Sequence, residues 1–169
     1  GDVYKRQEYN GFKIVFDQKS LSGKSIAELQ DLVENEDFIS GEGKEIKTPM
    51  LGDYKKEIKE KIKLKKNLKV VLDCGNGVGG SVAPTLFKDL GVELIELYSE
   101  IDGNFPNHHP DPGNPKNLKD LIDKVCEINA DLGIALDGDA DRLGVVDNLG
   151  KIIYPCLLYT SPSPRDVPW

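Results

Sequence analysis

The stretch Leu132-Gly133-Ile134-Ala135-Leu136-Asp137-Gly138-Asp139-Ala140-Asp141-Arg142-Leu143-Gly144-Val145-Val146 decides how this chain is read. Its first five residues and its last four are apolar runs of strand length, and a turn follows at Asn148-Leu149-Gly150. Three carboxylates alternate with Gly138 and Ala140 in between, so the acids occupy a tight loop between two strands. Alternate side chains of an extended strand lie roughly 6–7 Å apart, too far to share one ion. The loop must therefore curl, and the small residues between the acids allow it.

Carboxylates held this close repel one another and bind protons more tightly unless a cation compensates them. A hard divalent ion with oxygen ligands, Mg²⁺ or Ca²⁺, is the simplest remedy. Arg142 adds a planar cation suited to phosphate. Asp137, Asp139 and Asp141 are thus candidate metal ligands beside a phosphate-binding arginine. An EF-hand is excluded, because its sixth and twelfth positions would be Arg142 and Asn148 instead of Gly and Glu. A solvated acidic turn would have no need of strict alternation between two apolar runs.

Outward from this loop, the pattern alternates strand and helix. Strands are expected over 69–73, 92–98 and 132–136, and helices over 79–90 and 117–128, the latter capped by Asn117. Such alternation implies a mostly parallel, mixed sheet with helices on its faces, in which ligands sit beyond the carboxyl ends of strands. Upstream, Thr48-Pro49 reads as the start of a four-turn helix carrying Leu51, Tyr54, Ile58 and Ile62. The mixed charges of 55–61 make its other face a solvated one. Residues 38–47 read as a connector, 25–35 as a helix and 12–16 as a strand.

Two further stretches invite a chemical reading. Gly75-Asn76-Gly77-Val78-Gly79-Gly80 follows a strand and opens a helix, and Glu96 lies near the end of the next strand. That is the dinucleotide fingerprint in its usual context. The alternative function is therefore a dinucleotide-binding dehydrogenase domain, although the acid loop has no task in hydride transfer. The glycines are equally suited to a tight strand-to-helix turn. Asp102-Gly103-Asn104-Phe105-Pro106-Asn107-His108-His109-Pro110-Asp111-Pro112 forms a long loop. Adjacent histidines do not easily face one ion, so a loop stiffened by proline and hydrogen bonds is expected there.

The 169 residues carry a net charge of −7, which argues against non-specific binding of nucleic acid or anionic membranes. No apolar run reaches bilayer-spanning length, and no signal peptide is recognisable at the start. Three cysteines at irregular spacing form no disulfide or zinc framework, which fits a reducing, cytoplasmic setting. Both ends look foreign. Residues 1–7 can be back-translated into a sequencing-library transposon adapter, and 156–166 into its reverse complement. Residues 1–7 and 156–169 are therefore expected to be adapter-derived, leaving 8–155 as the genuine piece. Cys74 and Cys126 then remain, and both are expected to be small buried hydrophobes.

Four segments, EYNGFK at 8–13, DCGNGVGG at 73–80, DGNFPNHHPDP at 102–112 and DGDADRLGVVD at 137–147, together resemble the α-D-phosphohexomutases of the phosphomannomutase/phosphoglucomutase type. The resemblance implies an α/β fold, three-layer α/β/α, for 48–155, preceded at 8–47 by the tail of a related domain and a connector. It implies an isomerase that moves phosphate between the C1 and C6 oxygens of a hexose through a phosphoserine and a bisphosphorylated sugar. The substrate would be a mannose or glucose phosphate, or a glucosamine phosphate within the same family. It further implies Mg²⁺ on Asp137, Asp139 and Asp141, with Arg142 beside the phosphoserine and Lys13 linked to proton transfer. The family's serine lies in a segment similar to TASHNP directly before EYNGFK, a place held here by residues 2–7. This polypeptide is therefore expected to be inactive by itself.

Overall fold

The computed structural model describes residues 14–154, which fall into two compact units divided between Pro49 and Met50. Lys13 and the two end segments assigned to adapter lie outside the described residues. In the first unit, β1 (Val15–Phe16) pairs antiparallel with β2 (Lys19–Ser20) through Asp17 and Gln18, both at positive φ. Sequence reading finds the first strand but not its polar partner. Helix α1 (Lys24–Glu34) follows within one residue of expectation, and no residue of 14–49 is buried.

The second unit opens with α2 (Leu51–Lys61). Thr48 does not cap it. The first helical bond runs from the Tyr54 N–H to the Met50 carbonyl, so the helix starts after Met50 and has 11 residues rather than four turns. Next come β3 (Lys69–Asp73), a 3-10 turn at Val78–Ser81, α3 (Ala83–Asp89) and β4 (Glu93–Leu97). The single helix expected over 79–90 is thus broken into two pieces. Pro84 sits in the first turn of α3, where its missing N–H is tolerated, whereas deeper in one long helix it would remove a bond.

A second 3-10 turn, Pro115–Leu118, leads into α4 (Lys119–Ile128). Asn114 caps the 3-10 turn, its side chain accepting from the Lys116 N–H, whereas α4 starts after Leu118 with no side-chain cap, so the cap expected from Asn117 is not made. Asn117 instead donates its amide to the Asp111 carbonyl at 2.9 Å. Then follow β5 (Leu132–Leu136), β6 (Leu143–Asp147) and β7 (Ile152–Ile153), the last too short to be legible as a strand.

The five strands form one mixed sheet in the order β4-β3-β5-β6-β7. Parallel pairing joins β4, β3 and β5, and antiparallel pairing joins β5, β6 and β7. The chain steps from β3 to β4 in one direction and from β4 to β5 in the other. Right-handed crossovers then place α3 and α4 on opposite faces, giving three layers. The main core lies on the α4 side, where Leu118, Leu121 and Val125 pack on Val71, Ala135 and Val146. These side chains are fully or almost fully buried, and truncating one such leucine costs about 2–5 kcal/mol. Cys74 belongs to the interior but Cys126 is exposed. It follows the inward-facing Val125 by one residue, about 100° further round the helix.

Candidate active site at the carboxyl ends of β3 and β5

Strands β3 and β5 are neighbours whose outgoing connections diverge, one toward β4 and the other toward β6. A crevice opens at such a switch point, and both motif loops meet there. The acid loop curls as its composition requires. Ala140 adopts a left-handed backbone (φ 61°), and its N–H donates to the Asp137 carbonyl at 3.1 Å. One carboxylate oxygen from each of Asp137, Asp139 and Asp141 comes within 4.8 Å of the others, the one such acid, cysteine and histidine cluster among the described residues.

The three acids differ in their surroundings. Asp137 is buried, and its two oxygens accept from the Arg142 N–H at 3.0 Å and the Arg142 Nε at 2.8 Å. Burial pushes the Asp137 carboxyl up, but those two bonds and the guanidinium charge outweigh it and hold the group below its ordinary pKa. Asp139 and Asp141 are exposed. Asp141 is raised, first by the negative charge of Asp139, with slight desolvation and the Asp137 charge adding to it. Arg142 also reaches Asp111, with Nη1 at 3.3 Å from Oδ1. An apolar cleft of about 390 Å³ adjoins the loop, lined among others by Tyr54, Leu86, Phe87, Leu136, Asp139 and Ala140.

The glycine motif serves this loop and not a nucleotide. A Cβ on Gly77 would lie 2.7 Å from the Gly138 carbonyl oxygen and 2.9 Å from its Cα. One on Gly80 would lie 2.0 Å from the Ser99 carbonyl oxygen. The space that a pyrophosphate would need beside Gly77 is therefore filled by the acid loop itself. Glu96, the acid of that fingerprint, is bonded to Lys88 at 2.5 Å. The dehydrogenase alternative is set aside on these grounds.

The amide and acid near the glycines are likewise engaged internally. Asn76 donates to the Glu100 carbonyl at 2.8 Å and accepts from Asn107 at 2.8 Å. Asp73, fully buried, accepts from the Gly75 N–H and pairs with His108 Nε2, each at 2.8 Å. His109 turns away to meet the edge of Phe105, with ring centroids 6.4 Å apart. The histidine loop is thus a braced loop, as expected. Sequence reading missed Asp111 and the Asp73–His108 pair as supports of the site, since each contact spans more than thirty residues of chain.

Comparison with known proteins agrees with this geometry. Residues 52–150 match the family described as phosphoglucomutase/phosphomannomutase, alpha/beta/alpha domain II. A phosphomannomutase/phosphoglucomutase of Pseudomonas aeruginosa is 55% identical over 148 residues, which are 88% of this chain and 32% of that protein. A phosphoglucomutase of Neisseria meningitidis is 48% identical over 150 residues, 88% of this chain and 33% of that protein. The crystal structure of a phosphoglucomutase/phosphomannomutase family protein from Burkholderia thailandensis superimposes with a TM-score of 0.79 at 47% identity, covering 90% of this chain and 33% of that one. The chain spans about a third of the length of the curated relatives it matches. It belongs to the phosphoglucomutase/phosphomannomutase family.

Proposed function

We propose that this chain supplies the acid-loop part of a phosphohexomutase that interconverts hexose 1-phosphate and hexose 6-phosphate. The observation that carries the reading is the convergence of Asp137, Asp139 and Asp141 within 4.8 Å, with Arg142 bonded to the first of them. The donor set suits Mg²⁺, because it is all oxygen, anionic and carried on a loop that has already curled. Asp137, Asp139 and Asp141 would hold the ion, which when bound neutralises charge on the transferring phosphoryl group.

The protein's own part is positioning and charge. Arg142 presents a fixed cation to phosphoryl oxygens, and Asp137 orients that cation through Nε. Lys13 is assigned the proton transfer, on the likeness of its segment to the family's. The substrate is a glucose or mannose phosphate, in keeping with the names that the relatives carry. A glucosamine phosphate is the second choice, since one relative at 36% identity is named a probable phosphoglucosamine mutase.

The test is a chimera. Residues 8–155 replace the matching segment of the Pseudomonas aeruginosa relative, and conversion of mannose 1-phosphate to mannose 6-phosphate is followed. Turnover is expected, and Asp139→Asn should abolish it. A chimera that folds and binds Mg²⁺ yet shows no turnover would overturn the reading.

A further inference from the structure

We propose that Asp111 is a positioning residue for Arg142, and that the buried Asp73–His108 pair anchors the loop from which Asp111 acts. The proposal rests on the phosphohexomutase reading only for the ligand, the phosphoryl group of a sugar phosphate that Arg142 would meet.

The geometry forms one line of contacts from the end of β3 to the acid loop. Asp73 closes β3 and pairs with His108 Nε2 at 2.8 Å. The other ring nitrogen, Nδ1, faces the His109 carbonyl at 3.0 Å, and the ring stands edge-on to Tyr98. Pro110 is fully buried, and a Cβ on Gly75 would come within 3.0 Å of the Pro110 Cβ. Residues 108–110 are thereby pinned to the turn after β3. Asp111 comes next. Its own N–H donates to the His109 carbonyl at 2.8 Å, and its carbonyl accepts from Asn117 at 2.9 Å. With its backbone fixed at both sides, Asp111 Oδ1 accepts from the Gly113 N–H at 3.2 Å and from Arg142 Nη1 at 3.3 Å.

Arg142 is thus hydrogen-bonded to carboxylates from two different loops, through Nε to Asp137 of the acid loop, with Asp141 Oδ1 of the same loop further off at 3.9 Å, and through Nη1 to Asp111. The side chain is 47% exposed, so burial does not choose its rotamer. A guanidinium gripped through Nε alone can still turn about the neighbouring bonds. A second charged contact on another nitrogen fixes the plane and sets the direction of the remaining N–H groups. A long side chain that is ordered before the substrate arrives loses less entropy when it engages phosphate.

The test follows the Arg142 Nε–Hε signal by ¹⁵N NMR in the whole chain. Only three arginines are present, at positions 6, 142 and 165, and Arg142→Lys identifies the signal by deleting it. Asp111→Ala removes the bond at Nη1 and leaves the one at Nε. The freed guanidinium should part from Asp137 more often and speed exchange of this Nε–H with water by about two- to tenfold. Asp111→Asn keeps an acceptor oxygen and should give a smaller increase; it carries the test alone if Asp111→Ala does not fold. Val125→Ala, which opens a cavity in the core beneath α4, should lower the melting temperature without touching the Arg142 signal. Unchanged exchange in a folded Asp111 variant, or equal changes in Asp111→Ala and Val125→Ala, would overturn the proposal. Titration of the same samples with MgCl₂ separates the two readings. Failure of the 137–142 amides to shift would count against the metal and mutase reading, whereas the Arg142 exchange alone decides the role of Asp111.

Discussion

The backbone N–H of Val78 donates to the carbonyl of Gly138 at 3.0 Å, and this bond ties the glycine turn after β3 to the acid loop after β5. The first prediction concerns the residue beside it. Gly77 has φ −82° and ψ 176°, ordinary extended values, so alanine there meets no backbone penalty. The cost is steric, because its Cβ would press on the Gly138 backbone at 2.7 Å. Gly77→Ala should destabilise the chain by about 1–3 kcal/mol. It should also weaken Mg²⁺ binding, because the loop that yields carries the acids. Urea unfolding and titration calorimetry measure the two effects. Gly103→Ala is the control, since a Cβ there meets nothing within 4 Å. Equal stability and affinity in the two variants would remove the coupling.

The second prediction is a pH dependence set by His108. Both of its ring nitrogens face acceptors, and only the imidazolium can donate from both. The bond to Asp73 raises its pKa above the ordinary 6.5, burial opposes this, and the His109 carbonyl adds to the rise. A raised folded pKa means that the folded chain binds the proton more tightly than the unfolded chain does. The contribution to stability is then full below the unfolded value and is lost as pH rises through the folded one. Unfolding free energy should therefore fall between about pH 6 and the folded value, and His108→Gln should lose that slope. Chemical denaturation at several pH values reads it directly. A wild-type profile that matches that of His108→Gln sinks the idea.

The strands β3 and β5 were legible because each is a short, nearly continuous apolar run between turn residues, the mark of a strand covered on both faces. The acid loop was legible because its three aspartates are close in sequence. What escaped depended on distant partners or local competition. Asn117 has the right chemistry for a cap, but the chain already turns at Asn114, which caps the 3-10 turn before α4, and Asn117 lies inside that turn. Pro84 split a helix that the apolar spacing alone makes continuous. Asp111 and Arg142 lie 31 residues apart, and Asp73 and His108 lie 35 apart, so only the folded sheet edge brings them together. The glycine fingerprint was legible as a turn but not in its purpose, because what a glycine makes room for is set by the neighbouring strand.

The third prediction separates the two described cysteines. Cys74 is buried, and burial, with the nearby Asp73 and Glu96 charges against the Ser99 bond, pushes its thiol up to about 11. At pH 8 about a thousandth of it would be thiolate, the reactive form. Cys126 stands on the open side of α4, with its sulfur near Gly150. In a Cys156→Ser background, iodoacetamide at pH 8 should alkylate Cys126 and spare Cys74 until the chain unfolds. Peptide mass spectrometry before and after urea measures this, and equal labelling rates in the folded chain contradict it.

The last prediction turns on opposite signs at one position. Asp139 is the first cause of the raised Asp141 pKa. A carboxyl whose folded pKa is raised binds its proton more tightly in the folded chain, so its ionisation at neutral pH works against folding. Asp139→Asn removes the neighbouring charge. Asp141 should then titrate nearer its ordinary 3.8, a shift that ¹³C NMR of the carboxyl carbon would follow. Without metal, the variant should be at least as stable as the parent at neutral pH. With Mg²⁺ the order should reverse, since a ligand that binds only the folded chain stabilises it by mass action. One charged ligand fewer should cost at least about tenfold in affinity. Melting curves in EDTA and in millimolar MgCl₂ test the reversal. If Asp139→Asn lowers stability equally in both, Asp139 acts through packing or hydrogen bonding, and its assignment as a metal ligand fails.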